Sequence, residues 1–333
     1  KLNGFPLNYL GGLPQGSLLA QYLNSNRMKI RSTLLLILCV VHLSIAQSSR
    51  SKADNLRQNG QLEAAIKAYT EEYKTSKDWK KGYNLACAYA LVFQKDSAYH
   101  YLNKSLKEDT SLWALADSDL YALLDDPRWE MIETHQLKRF QEHHGKLKQP
   151  EYAKQLLKLI MKDQALDYYI DQAKSYFMKE GSAPQWYYPL GAYKQEIIKE
   201  NYKKMQQLLE TYGWPKYSMV GELAADAPLL VINHHEDEAV RKKYLAQIKQ
   251  SCIDNEGSCM EFAKIQDRIL VNEDQLQIYG MQFRYNDQRR LEPFPIIDPE
   301  YVDQRREAIG LEPLGVYLKR KINYTWTVIQ KKR

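Results

Sequence analysis

The densest group of chemically capable side chains is His234-His235-Glu236-Asp237-Glu238. Imidazole and carboxylate can bind a metal ion or move a proton. A metal needs them converging from one face, usually three or four residues apart. Adjacent histidines on a helix point about 100° apart, so His234 and His235 do not easily share an ion. His234 with Glu238 has the right spacing but is a single pair, so no metal site is expected. The group reads more simply as a histidine at one helix end, then acids opening the next helix. The second chemistry is proton transfer. His234 closes an apolar run and could act as a general base, with Asp267 or Asp163 orienting its ring. Arg268 or Arg305 could hold an anionic substrate group bidentately. Gln277, Tyr279 and Gln282 could hydrogen-bond a substrate, although strand alternation puts Tyr279 and Gln282 on opposite faces. The same residues have an ordinary reading: Asp–Arg pairs tie helices together, and His, Tyr and Gln satisfy buried backbone groups. No nucleophile stands out, since Gly-x-Ser-x-Gly, a phosphate-cradling Gly loop and His-Glu-x-x-His are all absent. No cofactor is called for.

These residues must be placed by helices. Tyr152, Leu156, Leu159, Ile160, Tyr169 and Ile170 predict one long amphipathic helix to about Lys179, broken by Gly181-Ser182-Ala183-Pro184. A second helix carries Ile197, Ile198, Met205 and Leu208 and stops at Gly213, with Trp214-Pro215 beyond. Further helices are expected at roughly 220–234 and 237–250, and another starts at Ser258, where Ser258 and Glu261 match a capping box. From Gln275 the period changes to two. Tyr279, Met281, Phe283 and Tyr285 share one face, and a polar turn at 286–290 leads to a second strand confined to an edge by Pro293 and Pro295. Asp298-Pro299 then opens a short helix that Gly310-Leu311 closes.

Ahead of Gly145–Pro150, the best boundary, the spacing is that of helical hairpins. Ala53, Leu56 and Ala65 repeat 33 residues later as Ala86, Tyr89 and Ala98, and small residues at such slots let two helices approach closely. Asp126-Pro127 reads as a helix start, with Trp129 and Ile132 packing inward. Trp186-Tyr187-Tyr188 is either a contact surface or, more simply, core.

Charge divides unevenly. Residues 1–46 hold +4, the stretch from Lys319 onward +6, and the body between them −4. A weakly acidic body does not suit nucleic acid. The basic tail is expected to be solvated. Met28-Lys29-Ile30-Arg31, the apolar run Leu34–Leu43 and Ser44-Ile45-Ala46 have the order of a signal peptide over 28–46, with 1–27 an upstream non-native segment. Cys39 follows Leu38, not the small residue of a lipoprotein signal. No membrane span is expected once the signal is cleaved, and the localisation is periplasmic or secreted. Cys252 and Cys259 bracket a polar turn. They could form a local disulfide in an oxidising compartment or remain two free thiols, and Cys87 reads as a small core residue.

Two resemblances follow. Residues 50–145 resemble tetratricopeptide repeats, although Tyr83 lies one residue past the usual leading aromatic position. Residues 151–318 resemble an uncharacterised bacterial family, domain-of-unknown-function family 6624. The motifs that carry this, in order, begin with Asp163-Gln164, Gly213-Trp214-Pro215 with Val220-Gly221, and Asn233-His234. They continue through Asp267-Arg268, Gln277–Gln282, Pro295-Ile296 with Asp298, and Val302-Asp303 with Arg305-Arg306 and Gly310-Leu311. Asn233-His234-His235-Glu236 departs from the family's usual Gln-His-Ala-Asp, and Met281 from its usual Thr. The resemblance adds Gln164 to the candidate ligand-binding residues and implies no chemistry. The expected molecule is mainly α: tetratricopeptide-like hairpins, then a helical domain with a small β-hairpin and a basic tail over 319–333. Its expected role is protein interaction in the cell envelope, with a protein or peptide at the repeat groove. The alternative is a hydrolase- or transferase-like enzyme with a polar pocket around His234.

Overall fold

The computed structural model describes residues 51–331, so the segment 1–27, the signal peptide and Cys39 lie outside the described residues. The fold is mainly α with one small antiparallel sheet. Helices α1 (Lys52–Gln58), α2 (Leu62–Ser76), α3 (Trp79–Leu91) and α4 (Lys95–Ser105) pair as two hairpins. Ala53, Ala65, Ala86 and Ala98 are all fully buried, as the 33-residue spacing requires. Gly82 makes the closest approach: a Cβ there would lie 2.7 Å from Ser105 Oγ and 2.9 Å from the Tyr73 ring. Two 3₁₀ turns (Trp113–Leu115 and Ser118–Leu123) lead to α5 (Arg128–His144). The Asp126 carboxylate accepts the Arg128 N–H at 3.0 Å, and Trp129 and Ile132 are buried beneath it.

The long helix expected to reach Lys179 is two helices, α6 (Pro150–Gln164) and α7 (Asp167–Glu180). In an unbroken helix the Asp163 carbonyl would accept the Asp167 N–H. Here it accepts the ammonium of Lys194 instead, and the chain turns. Next, α8 (Tyr187–Tyr212) ends at Gly213 with φ +79°, as its Gly-then-Pro ending predicts. The single helix expected over 220–234 is also divided, into α9 (Tyr217–Val220), α10 (Glu222–Ala225) and α11 (Ala227–His234). Gly221 at φ +84° makes one break, and Pro228, lacking an N–H, sits at the start of the next helix. Helices α12 (Glu238–Ile253) and α13 (Cys259–Asn272) are joined by a turn that the Cys252–Cys259 disulfide closes. Ser258 caps α13 through the Glu261 N–H. The Glu261 carboxylate pairs with Lys264, so half of the expected capping box forms.

The hairpin is shorter than alternation predicts. β1 (Phe283–Tyr285) pairs with β2 (Leu291–Pro293), Tyr285 opposite Leu291, and Tyr279 and Met281 lie in the loop ahead of it. After a 3₁₀ turn come α14 (Val302–Glu307) and α15 (Leu314–Ile322). Gly310, at φ +71°, and Leu311 return N–H groups to Glu307 and Arg306. Among the described residues the tail's Lys319, Arg320, Lys321 and Lys331 are exposed, as expected, but the tail also docks on the domain. The Gln330 side chain accepts from the Asp303 N–H and donates to the Pro299 carbonyl, and Trp326 packs against Gly315.

The main core runs across the Gly145–Pro150 linker without interruption, bringing Leu120, Leu123 and Trp129 into one cluster with Leu156, Leu157 and Ile232. Trp186 and Tyr188 are exposed, at 46% and 65%, so that aromatic run is not core. No helix among the described residues is long and apolar enough to cross a membrane.

Helix α7 docks on the N-terminal hairpins. The Tyr168 and Tyr169 hydroxyls donate to the carbonyls of Arg57 and Leu91, and the Gln172 amide donates to the Gln58 carbonyl at 2.8 Å. Gly60, at φ +75°, lets Gln172 approach, because a Cβ there would lie 2.9 Å from its side-chain oxygen. Gly181 has a similar φ of +76° but open space around it. Gly60→Ala should therefore cost more than Gly181→Ala in urea denaturation, about 2 against about 1 kcal/mol. Equal losses would mean that this contact contributes nothing.

Candidate functional site

The expected site residues divide into two groups. Asp163 and His234 meet: His234 Nδ1 lies 2.6 Å from Asp163 Oδ2, and both side chains are buried. They come from α6 and α11, which pack together and against α8. From α8 comes Lys194, with a side chain 1% exposed. Its ammonium donates to the Asp163 carbonyl and to Asp167 Oδ1 at 3.0 Å, and stands 3.9 Å from Asp163 Oδ2. Burial opposes ionisation of Asp163. His234, Lys194 and Asn201 outweigh it and hold the carboxyl below the usual carboxylate range. Burial raises the carboxyl of Asp167 despite Lys194 and His234. Lys194 was not singled out from the sequence, yet the signal was present. It lies on the same buried face as Ile197, Ile198, Asn201, Met205 and Leu208, a cation where an apolar residue is expected.

Asp267 does not orient His234. Its carboxylate accepts the N–H groups of Ile278, Tyr279 and Met281 at 2.7 to 3.1 Å and so fixes the loop ahead of β1. Burial pushes it up to about 6 against those same bonds. Arg268 donates to the carbonyl and side-chain oxygens of Asn233, at the C-terminal end of α11. Gln277 is fully buried and holds the carbonyls of Gln282 and Phe294. Gln282 donates to the Lys264 carbonyl. Arg305 donates to the carbonyls of Ile278, Ile297 and Asp298, and Arg306 takes that of Tyr279. Backbone groups thus occupy side-chain atoms of Gln277, Gln282, Arg268 and Arg305, while the Tyr279 ring packs edge-on against Phe262. Glu238 pairs with Arg241 and Asn272, and His234 pairs with Asp163, so the one metal-spaced pair is not brought together.

A cavity of about 540 Å³ opens where α7 crosses the first helix of each N-terminal hairpin. From α1 it receives Asp54 and Arg57, from α3 Tyr83 and Cys87, and from the 3₁₀ turns Trp113, Asp117 and Asp119. Gln164, a candidate from the sequence, and Asp167, Tyr168 and Asp171 form the opposite wall. Asp167 joins this cavity to the Lys194–Asp163–His234 cluster behind it. Arg57 pairs with Asp119 and stacks 5.7 Å from the Tyr168 ring. The Tyr83 hydroxyl donates to Asp117 at 2.7 Å. Burial and the charge of Asp117 push Asp119 up to about 7, against Arg57. Burial, with Asp117 and Asp119, also raises the Cys87 thiol. Cys87, Asp117 and Asp119 each bring one ligand atom within 4.8 Å of the others, although the first pair is 30 residues apart and no metal-ligand spacing marks it in the sequence.

Removing one partner from a buried charge cluster strands the others. Asp163→Ala should cost about 3 to 5 kcal/mol in chemical denaturation, and a loss below about 1 kcal/mol would show that the cluster is not structurally coupled. Asp119 has the opposite linkage to Asp163. Its folded carboxyl is raised, so the stability it contributes is present below its unfolded value near 4 and is lost as pH rises through about 7. Asp119→Asn should flatten the fall in stability between about pH 4 and 7, by at most about 1.4 kcal/mol per pH unit. An unchanged slope in denaturation titrations would contradict the raised carboxyl.

No curated protein and no solved structure matches the chain. The profile of a family of unknown function, DUF6624, matches residues 150–328, beginning at the linker before α6 and ending in the docked tail. More than half of the chain is covered, and the cluster Asp163–Lys194–His234, the disulfide and the Asp267 loop all lie inside the match: the protein belongs to the DUF6624 family.

Proposed function

We propose that this is an exported cell-envelope binding protein whose ligand occupies the cavity between the N-terminal hairpins and α7. In this reading residues 50–145 form the tetratricopeptide-like region, with α1–α4 as its two hairpins, and α6–α15 with the β-hairpin form a helical domain that shares a core with it. The repeat reading is supported by the four buried alanines at 33-residue spacing. Export is supported by the order of residues 28–46 and by the Cys252–Cys259 disulfide, a bond that persists in oxidising compartments. A periplasmic or secreted location follows from that.

The observation that carries the binding reading is the cavity itself. At about 540 Å³ it has the size of small-ligand sites, and it lies at a junction between two parts of the chain, where such sites concentrate. Its lining mixes rings with carboxylates from five separate elements. The expected groove ligand was a protein or peptide from outside. In the structure α7 lies across the first helices of both hairpins, so the remaining space suits a small molecule or a single side chain more than a whole helix.

A second reading is favoured by one specific contact. The 2.6 Å Asp163–His234 bond is the arrangement that orients an imidazole as a general base, which suits a hydrolase- or transferase-like enzyme. Against it stand the burial of His234 and the use of Asp267, Arg268, Gln277 and Gln282 as backbone staples.

Ligand-induced melting shifts across a metabolite and peptide panel separate the readings. The wild type should show a shift that His234→Ala retains and Asn84→Trp, which fills the cavity from α3, abolishes. A shift lost in His234→Ala and kept in Asn84→Trp would replace the cavity with the histidine cluster as the site. A panel with no shift at all would overturn the binding reading.

A further inference from the structure

The cavity has an uncompensated charge. Five carboxylates line it: Asp54, Asp117, Asp119, Asp167 and Asp171. Arg57 pairs with Asp119, and Lys174, outside the cavity, pairs with Asp171. Lys194 pairs with Asp167 but is shared with Asp163 behind the wall. Asp54 and Asp117 are held differently. Asp54 accepts the Tyr69 hydroxyl at 2.6 Å and the Ser51 N–H. Asp117 accepts the Tyr83 hydroxyl and the Asp119 N–H. These donors are neutral, so two carboxylates face the cavity without an ion pair among the described residues. Both are partly exposed, so water screens them in part, and a cation bound in the cavity would supply the counter-charge that neither has. The raised carboxyl of Asp119 fits such an excess, since it persists with Arg57 in contact.

The remaining lining decides what kind of cation fits. Tyr83, Trp113 and Tyr168 contribute ring surfaces to the same space. Ring faces attract cations and also cover hydrocarbon. The Arg57 guanidinium already uses this combination, with Asp119 at its end and the Tyr168 ring beside it. A small hydrated metal ion would use the carboxylates but not the rings. A substrate with a positive nitrogen on a short aliphatic stem uses both.

We propose that the cavity between α1, α3 and α7 binds an organic cation, an alkylammonium or guanidinium group carried on a short hydrocarbon chain. Asp117 and Asp54 supply the unpaired negative charge, Asp171 lies at the α7 edge, and Tyr83, Trp113 and Tyr168 cover the stem. This rests on the reading of the cavity as the ligand site and names its ligand class.

Calorimetry and melting shifts on the whole chain test it, with 1,5-diaminopentane, spermidine and arginine amide as cations. Pentane-1,5-diol is the neutral match for the diamine, and glutarate is its anionic match. The cations should bind and stabilise the protein, while the diol and glutarate should not. Asp117→Asn and Asp171→Asn should each weaken the diamine by about tenfold or more, and Asn84→Trp should abolish its binding. Asp171 is half exposed on α7, so its variant remains informative if Asp117→Asn, which alters a 3₁₀ cap, does not fold. Cations binding no better than the diol, or binding both Asp variants undiminished, would overturn the proposal. If neutral or anionic panel compounds bind the wild type but not Asn84→Trp, the cavity is a site and its ligand is not a cation. If nothing binds, both the ligand class and the site fall. Binding of Zn²⁺ alone, lost in Cys87→Ser with the amines silent, would also overturn the organic cation in favour of the Cys87–Asp117–Asp119 donor set.

Discussion

Taking an ammonium group out of water costs several kcal/mol unless acceptors surround it. In this protein Lys194 meets that condition at the junction of three helices. Its partners are a main-chain carbonyl and a carboxylate on either side of the α6–α7 turn, and the carboxylate it approaches next holds His234 of α11. The contact therefore does three things at once. It ends α6, sets the direction of α7, and ties α11 to both. An apolar residue at 194 could fill the volume, but it could not take the Asp163 carbonyl away from the helical ladder.

The direction of α7 decides what happens at the N-terminal side. Because the chain turns at Ala165-Leu166, α7 runs over the first helix of each hairpin and hands Tyr168, Tyr169 and Gln172 to their carbonyls. The two parts of the chain then share a core across the Gly145–Pro150 linker. The cavity is what remains between surfaces joined at their edges by hydrogen bonds. Its acids come from both sides of that junction, Asp54, Asp117 and Asp119 from one and Asp167 and Asp171 from the other.

Local patterns were legible in the sequence because they depend on neighbours. The stop at Gly213 before Pro215, the Ser258 cap and the Gly310-Leu311 ending are each decided within a few residues. The alanine spacing showed which hairpin positions would be buried. What failed was decided at a distance. The break after Gln164 coincides with a lysine 31 residues beyond Asp163 that takes the Asp163 carbonyl. The strand pattern from Gln275 is real alternation, but Asp267 captures three of its N–H groups and Gly280 takes a positive φ, so only the last residues enter the sheet. His234 was legible because it closes an apolar run, and Asp163 was one of two acids that could orient it; which of them does so is decided by packing. The cavity was not, because Asp54, Cys87, Asp117 and Asp171 belong to separate elements and no spacing connects them. The polar residues around the loop serve main-chain groups, a use that residue type alone does not distinguish from substrate contact.

The Cys252–Cys259 bridge has a consequence for how the molecule matures. Its partners are seven positions apart, across a single turn, so they meet as soon as α12 and α13 begin to form. Cys87 is the remaining thiol among the described residues, buried at the wall of the cavity. Mispairing would need Cys87 to be reached before the N-terminal hairpins close. Closing the bridge still requires an oxidant that takes two electrons from the pair of thiols.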